Sequence, residues 1–200
     1  MGLESTYIAL PAACVLVKRS ENDPAFGEFL GSVQFYKSGG HHHSPWPDPI
    51  EDAFRAVVQQ MNQAHPGIAS RIFTLDRNWD SMHYILSENR RKGVYQAEDW
   101  GTKAVRGASK LSEHLTGGQG IPIRYTAPEE VLAIAARMQS LTQESLRLAY
   151  DPQKMQETVY KFNYHDAEKE WSEIWTCFNG LKAFYEDVAR HEEAVMVCID

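Results

Sequence analysis

Two hundred residues with 43% apolar side chains, five Trp, nine Tyr and eight Phe suit one domain with a sizeable core, spanning residues 1–200. A formal net charge of −7 excludes the clustered Lys and Arg surface that nucleic acid or an anionic membrane requires. The basic residues Arg90, Arg91, Lys92, Lys103 and Arg106 are interrupted by acids and read as solvated surface. Cys14, Cys177 and Cys198 are odd in number and far apart, unlike a secreted disulfide framework. With no basic-then-apolar leader and no apolar run approaching about 18 residues, the expectation is a cytoplasmic protein.

In chain order, Tyr7 to Leu10 predicts a short strand. "CVLVK" has strand composition, yet Pro11 could open a helix carrying Val15 and Leu16 inward. Asn22-Asp23-Pro24 predicts a turn, and Ser38 to Pro47 an irregular loop. Asp48 then predicts a helix cap with Pro49 at the first helical position, and Ile50, Phe54, Val57, Val58 and Met61 as the inner face. Pro66-Gly67 ends that helix, and Asp76 to about Glu88 is the next. Gly93 to Gly120 shows little periodicity. Ile121 to Tyr125 predicts a strand, and Thr126 with Glu129 a capping box for a helix burying Val131, Ile134, Ala135 and Met138. Thr142 to Tyr150 predicts a short helix, and Asp151-Pro152 a turn. Trp171, Ile174, Trp175, Phe178, Leu181 and Tyr185 repeat at helical spacing, and Ala194 to Ile199, apolar throughout, predicts a central strand. The sum is a helix-rich α+β domain with a small sheet.

The best candidate site lies in "LDRNWDSMHYIL", Leu75 to Leu86. At about 100° per residue, Leu75, Trp79, Met82 and Leu86 form one apolar stripe. Asp76 and His83 flank it side by side, with Asp80 just beyond. A histidine at the edge of a buried stripe acquires a fixed tautomer and a shifted pKa. Two readings follow. Either Asp76 caps its helix and His83 is a satisfied core histidine, or Asp76 or Asp80 orients His83 as a base or ligand-binding group beside Trp79.

Four segments, taken in order, resemble the YfbM-like family, small bacterial proteins grouped as domain of unknown function 1877. They are "YIALP", the central "LDRNWDSMHYIL", "IRYTAPEEVLAIAARM" and "LKAFYEDVARHEEAVMVCID". The central segment is the specific one, because the family pattern resembles Leu-Asp-x-x-Trp-x-x-x-His, matched by Leu75, Asp76, Trp79 and His83. The resemblance implies an α+β domain and a cytoplasmic bacterial protein, and it implies no activity.

The other motifs have plain readings. His41, His42 and His43 are adjacent and cannot all converge on one ion, so no metal site is expected. Asp166, Glu170 and Glu173, with His165 adjacent, lie opposite the Trp171/Trp175 stripe and should face water. Gly117, Gly118 and Gly120 precede a strand rather than a helix, which leaves a phosphate loop without its helix N-terminus. No cysteine has a basic neighbour to activate it. No cofactor is implied. The expected function is a binding or interaction domain for an unidentified protein partner or small ligand, with candidate residues Asp76, Trp79, Asp80 and His83. The alternative is a small hydrolase-like enzyme using His83 with Asp80 or Asp76.

Overall fold

Five strands form one antiparallel sheet in the computed structural model, which describes residues 3–37, 40, 48–87, 98–117, 120–160, 162 and 166–200. The strands are β1 (Ser5–Leu10), β2 (Ile72–Thr74), β3 (Ser109–Lys110), β4 (Arg124–Thr126) and β5 (Ala194–Ile199), lying side by side in the order β2-β1-β5-β4-β3. The first five helices among the described residues are α1 (Val15–Asn22), α2 (Pro24–Gly27), α3 (Val33–Lys37), α4 (Pro49–Ala64) and α5 (Trp79–Leu86). The rest are α6 (Trp100–Arg106), α7 (Pro128–Gln139), α8 (Gln143–Arg147), α9 (Pro152–Thr158) and α10 (Ala167–Arg190). The architecture is α+β, as the patterning predicts.

β5 is the centre of the sheet for the reason its sequence suggests. All six residues are apolar and all are buried, so neither face can be left to water. β1 pairs with it along its whole length, from Ser5 opposite Ile199 to Leu10 opposite Ala194. β4 flanks the other side, with Tyr125 opposite Met196.

Helix α4 starts as the sequence predicts. Asp48 Oδ1 accepts the Ile50 N–H at 2.8 Å and the Glu51 N–H at 3.4 Å, and Pro49 fills a position that needs no donor. Phe54, Val58 and Met61 are buried, but Ile50, in the first turn, is 38% exposed and does not belong to the inner face.

Several boundaries differ from the sequence reading. "CVLVK" resolves as helix, and its inward residues are Leu16, Val17 and Ser20, while Val15 is 62% exposed. Thr126 is not part of a capping box. It ends β4, its Oγ1 accepts the Ala108 N–H at 3.2 Å, and α7 starts from Ala127 with Pro128 in its first turn. Asp151-Pro152 is a helix start as well as a turn, because Asp151 accepts the Lys154 N–H at the head of α9. The strand expected at Ile121 to Tyr125 is displaced to Arg124–Thr126.

Helix α10 buries Trp171, Ile174, Phe178, Leu181, Tyr185 and Val188, whereas Trp175 is only half-buried, stacked on Phe178 with centroids 5.4 Å apart. Gly180 survives inside this helix because a Cβ there would lie 2.7 Å from the Phe73 ring, so its absence lets β2 approach. Asp166 caps α10 by accepting the Glu168 and Lys169 N–H groups, and Glu173 sits 3.9 Å from Arg77 at the surface. The His41 to His43 tract, His165 and Gly118 lie outside the described residues.

Candidate functional site

Every residue of α5 is buried, so the helix that reads as amphipathic is covered on all sides. Its polar side chains must then find partners inside the protein. His83 is 3% exposed, and its Nε2 lies 3.0 Å from Thr102 Oγ1 on α6. Thr102 Oγ1 in turn is 2.6 Å from Asp99 Oδ2, which also accepts the Thr102 backbone N–H at 2.8 Å and so caps α6.

The proton count fixes the tautomer. Thr102 has one hydroxyl proton, and the short, charge-assisted bond to Asp99 takes it. The hydroxyl oxygen is therefore an acceptor toward His83, and Nε2 carries the imidazole proton. Nδ1 is left with its lone pair, 3.9 Å from Asp80 Oδ1 and beyond hydrogen-bond distance. Burial, reinforced by the Arg106 charge and opposed by Asp99, lowers the His83 pKa to about 4. At neutral pH the ring is an uncharged hydrogen-bond donor.

The other three sequence candidates separate. Asp80 is buried, and its Oδ2 accepts the Tyr160 N–H at 2.7 Å, tying α5 to the segment after α9. Trp79 is 6% exposed and packs its ring 6.3 Å from that of Tyr160, while its buried Nε1 has no hydrogen-bond partner among the described residues. Asp76 departs most from the helical-wheel reading. It is exposed, stands in a 3-10 turn (Asp76–Asn78) ahead of α5, and makes no side-chain cap. Its φ of 44° is left-handed, which an aspartate tolerates better than most residues. Asp76 lies toward Cys177 of α10, adding to the burial that pushes that thiol up.

What brings His83 and Thr102 together is a glycine. A Cβ at Gly101 would lie 2.2 Å from the Leu86 carbonyl oxygen, so only glycine lets α6 rest against the end of α5. The far end of α6 is held by two tyrosines from different elements. Tyr7 of β1 donates to the Val105 carbonyl at 2.7 Å, and Tyr185 of α10 donates to the Ala104 carbonyl at 2.8 Å. These carbonyls have no partner within so short a helix, and the hydroxyls supply one. Lys103 adds a 2.9 Å bond to Glu130 of α7. Thr102 and Asp99 fall in the stretch that shows little periodicity, although Asp99 as a cap and Gly107 just beyond Arg106 are signals for this helix.

A second feature is open where this one is closed. A cleft of about 220 Å³ lies between α1 and α4. Pro11, Ala13, Val15 and Leu16 wall one side, and Val57, Met61 and Ala64 the other. Cys14 sits buried within the wall, and burial pushes its thiol up, away from the nucleophilic form. Gln60 and His65 supply the polar edge. Among the described residues no group of three or more His, Cys, Asp or Glu could hold a metal ion, and no helix is long and apolar enough to cross a membrane.

The five-stranded antiparallel sheet with helices packed around it is an α+β fold. The sequence matches the family model described as a domain of unknown function, DUF1877, over residues 44–198, and the chain belongs to that family. The match reaches well upstream of Leu75, taking in α4 and β2. The chain is similar in fold to a solved structure, a protein of unknown function, YfbM, from Escherichia coli. The TM-score is 0.57 at 16% sequence identity, over 98% of this chain and 99% of that one. No match was found among curated proteins.

Proposed function

We propose that the protein is a binding module whose α1–α4 cleft receives an aromatic side chain presented by a protein partner. The observation that carries this reading is an open cleft with an apolar lining, in which Val15, 62% exposed, shares the wall with the buried Leu16 and Met61. Its volume, about 220 Å³, is smaller than the roughly 300–1,000 Å³ of sites that enclose a whole small molecule. It suits one anchor residue, and buried aromatic anchors dominate protein–protein affinity. Gln60 and His65 at the edge can satisfy an indole N–H or a phenol hydroxyl, which are the polar ends such anchors carry.

A hydrolase built on His83 with Asp80 or Asp76 receives less support. A catalytic imidazole needs a substrate proton within reach. This ring is 3% exposed, has its one proton committed to Thr102, and is paired with neither carboxylate at hydrogen-bond distance.

The test is a methyl-detected NMR titration with N-acetyltryptophanamide as probe. Saturable shifts at Met61, Val15 and Val57, abolished by filling the cleft with Ala64→Trp, are the expected result. Shifts that centre on Met82 beside His83, or methyls in the cleft that do not respond, would overturn the reading.

A further inference from the structure

Between β3 and β4 the chain makes a short excursion that is held at both ends by one residue. The Leu111 N–H donates to the Ile123 carbonyl at 3.1 Å, and the Ile123 N–H donates to the Leu115 carbonyl at 2.9 Å. Ser112, Glu113 and His114 form a bulge between these two bonds. Leu115, 2% exposed, anchors the bulge against Gly27 of α2. Lys110 braces it through an ion pair with Glu113 at 3.0 Å. Ser112 is half-buried and His114 is exposed, so a small molecule can reach both.

Ser112 Oγ lies 2.7 Å from His114 Nδ1, and His114 Nε2 lies 3.2 Å from the carbonyl oxygen of Ser20. A carbonyl only accepts, so Nε2 carries the imidazole proton. That carbonyl belongs to the last turn of α1 and draws its donor from outside the helix. Residue 24, whose N–H would reach back to it if the helix ran on, is a proline and has none. In the neutral ring Nδ1 therefore holds a lone pair, and the Ser112 hydroxyl donates to it. A serine hydroxyl aimed at a histidine whose other nitrogen is fixed by an acceptor is the arrangement of nucleophile, base and orienting group used in acyl transfer. Here a backbone carbonyl takes the orienting place. His83 has the same fixed tautomer but is sealed at 3% exposure, where a substrate cannot meet it.

The geometry points to Ser112 and His114 as a nucleophile–base pair that takes the acyl group of an aryl ester and hydrolyses it. Ser112 Oγ attacks the carbonyl carbon while its proton passes to His114 Nδ1. The bond from that carbon to the leaving oxygen then breaks, Nδ1 gives its proton to that oxygen, and the acyl group stays on Ser112 as an ester. Water attacks the acyl carbon next, losing a proton to Nδ1, and Ser112 Oγ departs and takes that proton back. The sum is ester plus water giving acid plus alcohol, with no other reactant. An aryl ester is the class that fits because the pair is open to water. Solvent then meets the developing oxyanion in place of a closed ring of donors, and a good leaving group lowers what the site must supply.

The test is reaction of the full chain with p-nitrophenyl acetate, read by release of p-nitrophenolate and by peptide mass spectrometry. A burst of about one equivalent followed by slower release, with acetyl on Ser112, is the expected result. Ser112→Ala should abolish the burst. His114→Gln, whose amide can still donate to the Ser20 carbonyl, should slow acetylation about a hundredfold. Nitrogen NMR of the neutral imidazole should find the His114 proton on Nε2. Mapping the acetyl group in the wild type decides the matter even if Ser112→Ala does not fold. The absence of a burst, acetyl groups that spare Ser112, or a folded His114→Gln acetylated at the wild-type rate would each overturn the inference. So would a His114 proton on Nδ1. None of these residues lines the α1–α4 cleft, so the outcome is independent of the anchor reading.

Discussion

The α5–α6 node and the α1–α4 cleft use the same kinds of residue to opposite ends. In the node a histidine, a threonine and an aspartate are sealed from water and bonded in series, His83 to Thr102 to Asp99. In the cleft a histidine, a glutamine and a buried cysteine border apolar wall that stays open. Polar groups that have satisfied one another inside the protein hold the fold together and have little left to offer a ligand. Apolar surface that folding leaves uncovered retains its drive to be buried. Side-chain identity alone would single out the node, yet the node is sealed and the cleft is open.

The sharpest way to break the contrast is Gly101→Ala. The added Cβ meets backbone at 2.2 Å, with no flexible side chain to yield. α5 and α6 must separate, at roughly 3 kcal/mol, and the His83–Thr102 bond should open with them. Urea unfolding reads the first effect and the His83 ring resonances the second. Wild-type stability in this variant would mean that the close approach does not hold the node.

Acid should separate the two regions next. The folded pKa of His83, about 4, lies below its unfolded value of 6.5, so between these limits the unfolded chain binds the proton first. Stability from this group is therefore complete above pH 6.5, falls as pH drops toward 4 and levels off below. The full loss is about 3 kcal/mol, the two limits differing by some 2.5 units at about 1.36 kcal/mol each. Denaturation midpoints measured across this window should show the slope in the wild type and lose most of it in His83→Gln. An equal slope in both would assign it to other groups.

At neutral pH, His83→Ala leaves Thr102 without its donor in a buried site and should cost about 2 kcal/mol. His83→Gln should cost less, because its amide can still donate to the hydroxyl. Thermal melts of the two variants side by side give the comparison, and equal losses would point to packing rather than the hydrogen bond. The smallest effect belongs to the cleft. Val15→Ser, at a position 62% exposed, should change stability by less than about 0.5 kcal/mol while weakening N-acetyltryptophanamide binding. A large loss of stability there would mean that the wall belongs to the core.

The elements legible from sequence were those with strong local signals. Asp48-Pro49 marks the start of α4, the aromatic repeat marks α10, and the unbroken apolar run of β5 allows only a central strand. β2 and β3, at three and two residues, carry too few positions for a period to register, and their pairing comes from partners distant in the chain. In the candidate site, His83 could be picked out because its motif is regular. Its partners could not. A helical wheel places Asp76 beside it, but the chain enters α5 through a left-handed residue and a 3-10 turn, which takes Asp76 out of the helix and leaves it at the surface.

The sequence by itself therefore determined the α+β class, the central strand, the long amphipathic helix and the apolar stripe of α5, since each depends on neighbours within a few positions. Tertiary structure alone decided that the polar side of α5 would be buried too. It also decided that His83 would answer to Thr102, 19 residues away, and that Val15 would face water beside a cleft. Those outcomes depend on which surfaces the other helices cover. Coverage is set by close approaches such as Gly101 on Leu86 and Gly180 on Phe73, which leave no local periodicity to read.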